Sequence, residues 1–142
     1  MAIIKAGYQT GSMTITISGL TTLANAASGV SSSIDNTSDL YLDVLPEVII
    51  TTASGAVATG VVDIYAKGSI DGVDFDDDAN DKWLGSISLA AAGVQTRKKV
   101  VSVASGFSGS MPPFWQIRIR NSTGSALTDG SVSFRGFWAQ VV

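Results

Sequence analysis

The sequence contains no cysteine and no histidine among its 142 residues. The first absence removes disulfide staples, thiolate metal sites and any cysteine nucleophile. The second removes the commonest general base and metal ligand, and with them the Ser-His-Asp and Cys-His arrangements. Charge is also scarce. Asp, Glu, Lys and Arg make up 15% of the chain, against roughly 25% in an ordinary soluble domain. The net charge of −3 and the pI near 4.6 argue against nucleic acid as a partner. Mean hydropathy is +0.30, yet no apolar run nears the roughly 20 residues that a membrane helix needs. Neither nucleic acid nor membrane is therefore expected as a partner. The apolar stretch in Met1–Gly7 is too short for a signal peptide, so export by a cleaved signal is not expected. A surface this poor in charge suits a subunit packed in an assembly better than a free monomer.

What is present is a series of short runs that alternate with a period of two. They are Ser12–Ser18, Val61–Ile70, Trp83–Leu89, Trp115–Arg120 and Val132–Trp138. Such alternation sends successive side chains to opposite faces of a strand. Ser28–Ile34 reads as a further strand, and Val94–Val103 carries the basic run Arg97-Lys98-Lys99 into another. Leu20–Ala27 admits a short helical turn. Leu40–Thr52 is the longest apolar stretch, with Leu40, Leu42 and Val44 alternating with Tyr41 and Asp43. Pro46 within it predicts a bulge, an edge or a break, because proline cannot donate to a ladder. About eight strands separated by turn residues, with no long amphipathic helix, predict an all-β, antiparallel, jelly-roll-like sandwich. Residues 1–11 read as an N-terminal arm or short edge strand and residues 12–142 as a single domain.

The last thirty residues look like the heart of that domain. Two alternating runs flank the turn-rich STGSALTDG and predict a β-hairpin. Its alternation places Trp115, Ile117, Ile119 and Phe134 in the core. Arg118, Arg120 and Arg135 then lie on the opposite face, within reach of a partner. Phe137 and Trp138 are adjacent and must face opposite ways, so one of them falls outside the main core.

Chemistry is harder to find. Asp71–Lys82 carries six of the twelve acids, and Asp74, Asp76 and Asp78 sit at alternate positions, as calcium ligands often do. An EF-hand loop counted from Asp74 needs glycine and glutamate where Ala79 and Gly85 stand, so the pattern fails. A solvated loop is the plainer reading. Glu47 is the sole glutamate, and nothing in the sequence fixes a second carboxylate beside it for glycoside hydrolysis. No catalytic residue, no cofactor and no enzymatic activity are expected. Arg97, Lys98 and Lys99 read as a solvated face or as an electrostatic contact with another subunit, whose acidic loop is the available complement. Ile3 and Ile4 could lie on a neighbour. Phe107, Phe114, Trp115, Phe134, Phe137 and Trp138 admit either a core role or sugar stacking, with the core favoured for Trp115 and Phe134.

Several stretches together resemble small virion proteins of tailed bacteriophages. They are SSSIDNTSDLYLDVLPEVIITT (31–52), VDIYAKGSIDGVDF (62–75), PPFWQIRIRNSTGSAL (112–127) and the closing FWAQVV (137–142). The resemblance covers most of the chain from about residue 12, and its motifs are structural. It implies a β-sandwich subunit of the phage particle, without catalytic residues, in a head decoration (cement) role or a neck or tail role. A decoration protein would sit on the outer surface of the capsid as a dimer or trimer, with the major capsid protein and copies of itself as partners. Trp138 joins the basic residues as an interface candidate under that reading. A carbohydrate-binding adsorption module, with a glycan as ligand, is the alternative from a different functional class.

Overall fold

Alternation of this kind produces two sheets that bury one face each. A computed structural model describes residues 3–141. Its strands are β1 (Ile4–Tyr8), β2 (Met13–Ile15), β3 (Ser28–Val30), β4 (Ile34–Asp35), β5 (Asp43–Thr52), β6 (Val61–Ser69), β7 (Lys82–Ser88), β8 (Thr96–Val100), β9 (Phe114–Ser122) and β10 (Leu127–Val141). A 3₁₀ turn covers Leu20–Thr22, and one helical turn, α1, covers Val103–Gly106. Sheet one runs β1–β10–β5–β8, with β2 also on β10. Sheet two runs β3–β9–β6–β7, with β4 also on β9. Every pairing among these strands is antiparallel.

The ten strands are about eight in topological terms. Tyr8 pairs with Phe137 and Met13 with Phe134, so β1 and β2 are one edge strand interrupted by a bulge at residues 9–12. Likewise β3 and β4 lie end to end along β9. The expected strand Ser28–Ile34 is thus split. Counting each interrupted strand once, the two sheets interleave as first-eighth-third-sixth and second-seventh-fourth-fifth. That is the jelly-roll order, as expected.

The core lies between the sheets and includes Val44, Val48, Ile50, Val62, Ile64, Ile117, Ile119, Leu127 and Val132, all fully buried. Trp115 and Phe134 meet edge-to-face across it, with ring centroids 5.4 Å apart. The core placement expected for Trp115, Ile117, Ile119 and Phe134 holds. The expected hairpin does not. β9 pairs with β6 and β3, whereas β10 pairs with β5 and β1. The turn between them therefore carries the chain across the sandwich, and the two runs face each other through the core. Asn121 fixes this crossing. Its buried amide donates to the carbonyls of Leu23 and Ser125, each at 2.8 Å, and its oxygen accepts from the Thr123 N–H at 3.0 Å.

Two local expectations need refining. Of the bulge, edge or break expected at Pro46, the edge is what the structure has, for β5 runs unbroken from Asp43 to Thr52 while its pairing with β8 ends at Glu47. The Pro46 carbonyl accepts from Val101 just beyond the end of β8, at 3.0 Å. In an antiparallel strand the N and O of one residue point the same way, so the missing N–H faces the place where pairing with β8 stops. Leu40 and Leu42 do not share a buried face with Val44; both are exposed. The Asn36 side chain hydrogen-bonds both backbone groups of Tyr41, at 2.9 and 3.1 Å. This clasp prolongs the loop, so that the strand starts only at Asp43.

Candidate functional site

A jelly roll of this kind offers two outer faces, and they differ in chemistry. On the outer face of sheet two the chain's own acidic loop covers the part around Arg118 and Lys67. Arg118, expected to be free for a partner, is only 5% exposed. Its Nε donates to Asp81 at 2.5 Å and lies 3.8 Å from Asp78, while its guanidinium sits 4.2 Å above the Tyr65 ring. A further nitrogen donates to Ser28 at 2.9 Å. Burial works against the Arg118 cation. The hydrogen bond and charge of Asp81, with Asp78 and Tyr65 beside it, outweigh that penalty and raise its pKa.

The loop's other acids bond to β6 beside it or within the loop itself. Asp78 also pairs with Lys67, and that hydrogen bond does most to hold its carboxyl below the ordinary aspartate range, against the opposing effect of burial. Asp76 accepts from the Gly68 N–H at 3.0 Å. Asp71 accepts from the N–H groups of Val73 and Asp74, each at 2.9 Å, which depresses its pKa. The calcium candidates Asp74, Asp76 and Asp78 therefore do not converge. Among the described residues no cluster of three acids is arranged to hold a metal.

The outer face of sheet one lies open and carries an apolar strip among serines, threonines and a few charges. Register brings Ile4 beside Val141 and Tyr8 beside Phe137. Alternation puts Leu45 and Ile49 of β5 and Val100 of β8 on the same side, as the pairs Leu45–Arg135, Ile49–Ser131 and Glu47–Val100 require. Ile4, Val141 and Val100 are 72%, 67% and 54% exposed. Tyr8 and Phe137 pack ring to ring, 5.3 Å between centroids. The charged residues on this face are Arg135, Lys98, Glu47 and, opposite Phe137, Asp43; the Lys98 ammonium lies 3.7 Å from Glu47.

The other interface candidates divide between these faces and the sandwich edges. Arg135 and Lys98 are exposed on the open face, and Arg120 is exposed on the acidic side. Arg97 and Lys99 alternate with Lys98 and point across the open edge of the sandwich. A side chain at Gly85 would meet the Lys99 stem at 3.0 Å, so that lysine closes the gap between β8 and β7 with its methylenes. The basic run thus turns towards β5, β7 and Gln95 of its own chain, and among the described residues it forms no ion pair with its own acidic loop. Ile3 is exposed. Phe137 and Trp138 do face opposite ways, and Trp138 is half-buried against Gly7, at 3.4 Å from the position of a Cβ there.

One aromatic was missed. Trp83 is 60% exposed, with its indole N–H 3.3 Å from both Asp63 Oδ1 and Ser86 Oγ. Simple alternation puts Trp83 on the buried side with Ile87 and Leu89. In the ladder Ile64 pairs with Gly85 but Tyr65 with Trp83, so Leu84 is an extra residue and every side chain before it changes face. Gly85 inside a strand was the available signal.

A cleft of about 330 Å³ opens between β2 and residues 32–36, lined in part by Met13, Asp35, Asp39 and Tyr41 over Trp115 and Phe134. Hydrogen bonds from Thr37 hold the Asp35 carboxyl low, which suits an anion that caps a turn.

No family model matches the chain, and no curated protein matches it. Among solved structures it is similar to the xylan-binding module CBM15, at 15% identity over 96% of this chain and 97% of that one, with a TM-score of 0.48. It is also similar to Xylanase10C from Cellvibrio japonicus in complex with xylopentaose, at 13% identity and a TM-score of 0.42, with 100% of this chain matching 28% of that one. At these values neither likeness gives any residue of this chain a role.

Proposed function

We propose that this protein is a non-enzymatic structural subunit of a tailed-phage virion, a decoration protein that stabilises the head by binding across major capsid protein subunits. The observation that carries the reading is the apolar strip on the open face of sheet one, which runs from Ile4 and Tyr8 through Phe137 and Leu45 to Val100. A face of this kind marks a place for another protein surface rather than for a small substrate. Repetition by particle symmetry multiplies weak contacts into firm attachment. The sequence resemblance to virion proteins supplies the setting, the outer surface of the capsid.

The test is occupancy of purified particles. Hundreds of copies per virion, displaced by Val100→Lys without loss of folding, are expected. About a dozen copies would move the protein to the neck or tail, and a protein absent from particles would end the reading.

A second reading, a glycan-binding adsorption module, is favoured by Trp83, an exposed ring steadied by Asp63 and Ser86 on the opposite face. Glycan-array binding lost in Trp83→Ala but kept in Trp138→Ala would establish it.

A further inference from the structure

Sheet edges expose unpaired N–H and C=O groups, and proteins guard them with charge, bulges or shortness. Three of the four edges here are guarded. β8 carries Arg97, Lys98 and Lys99, β7 carries the bulge at Leu84, and β3 and β4 are three and two residues long. The edge made by β1 and β2 is bulged only at residues 9–12. β1 itself, Ile4-Lys5-Ala6-Gly7-Tyr8, is regular and has a single charge.

β1 is also poorly supported from behind. β5 starts at Asp43, opposite Phe137, so Trp138–Val141 of β10 pair with β1 alone. The two form a ribbon that extends past the end of β5, and an isolated pair of strands is marginal in water. Both facts point the same way.

We propose that a second copy of this chain pairs with β1, antiparallel and two-fold about Ala6, joining two five-stranded sheets into one. The register follows from hydrogen-bond direction. Gln9 N–H donates to the Gly136 carbonyl at 2.7 Å, so Gln9, Gly7 and Lys5 turn their backbone groups towards β10. Ile4, Ala6 and Tyr8 then turn theirs outward. Pairing about Ala6 sets Ala6 opposite its own copy and Ile4 opposite Tyr8 of the second copy. Every outward donor and acceptor of the strand meets its complement. The side chains agree: Ile4 and Tyr8 continue the apolar strip across the join, alanine sits at the axis, and Lys5 faces Gly7 rather than another lysine. The proposal stands whether or not the larger assembly is a virion.

Sedimentation of the full chain tests it. The wild type should have the mass of a dimer, and Ala6→Pro should halve that mass with circular dichroism unchanged and melting no longer dependent on protein concentration. Proline removes only the outward N–H, and an edge position tolerates it. The absence of native cysteine allows a second test. Opposed residues in a hydrogen-bonded pair lie about 5.5 Å apart, within disulfide range. Mild oxidation should cross-link Ala6→Cys into dimers and leave Lys5→Cys largely monomeric. A monomeric wild type, a dimer that survives Ala6→Pro, or equal cross-linking of the two cysteine variants would each overturn the proposal.

Discussion

Arg118 and Arg135 are both strand arginines pointing away from the core, and the chain treats them in opposite ways. On sheet two a loop of aspartates folds back over Arg118 and neutralises it within the molecule. On sheet one Arg135 stands exposed beside Leu45, and among the described residues no carboxylate lies within ion-pair reach of it. One arginine is neutralised within the chain, and the other stands in solvent. A strand pattern sets which side chains point outward. It does not set whether outward means solvent.

The largest test of that contrast is Arg118→Ala. Removing the cation leaves Asp81, whose side chain is 3% exposed, as an uncompensated buried charge. The expected loss is about 3–5 kcal/mol of folding stability, read from denaturant melts. A loss below about 1 kcal/mol would mean that the acidic loop is not closed over the arginine in solution.

Next is Val100→Lys on the open face. Particle binding should weaken about tenfold, equivalent to about 1.4 kcal/mol. The new lysine faces Glu47, so the melting midpoint should barely move. Equal loss of folding and binding would make that face part of the chain's own core.

Acid should loosen the loop over Arg118. The folded pKa of Asp78 is depressed by Lys67 and Arg118. Its contribution is therefore complete above the ordinary aspartate value, about 3.9, and is lost as pH falls through the lower folded value. Asp71 and Asp35 shift the same way. Denaturant melts should be level between pH 6 and pH 5 and fall below about pH 4. Stability that rose towards pH 3 would contradict the arrangement.

The smallest effect belongs to Arg135→Ala, within about 0.5 kcal/mol for the isolated subunit. Set against Arg118→Ala, it measures the difference between the two faces directly.

Much of this was legible in the sequence and some was not, for definable reasons. Trp115, Ile117, Ile119 and Phe134 were readable as core because period-two alternation survives wherever a ladder is regular. Trp83 was not, because the extra residue at Leu84 reverses the alternation before it. The supposed hairpin failed at a different level. Two alternating runs around a turn look the same whether they pair side by side or stack across a core, and only the network around Asn121 distinguishes the cases. Burial of Arg118 depended on a loop some forty residues away in sequence, which no local pattern reports.

β10 has a consequence for how the molecule is made. It is the pairing partner of β1, β2 and β5, with Ile4 opposite Val141. During synthesis the first of these strands leave the ribosome with no neighbour to pair with, and sheet one cannot close until residues 127–141 have followed. Loop closure over nearly the whole chain must precede most of the reward, which makes such topologies slow to fold and exposed meanwhile to wrong pairing. A nascent chain stalled before Leu127 should be protease-sensitive along β1 and β5, and release of the last fifteen-residue strand should bring protection to both at once.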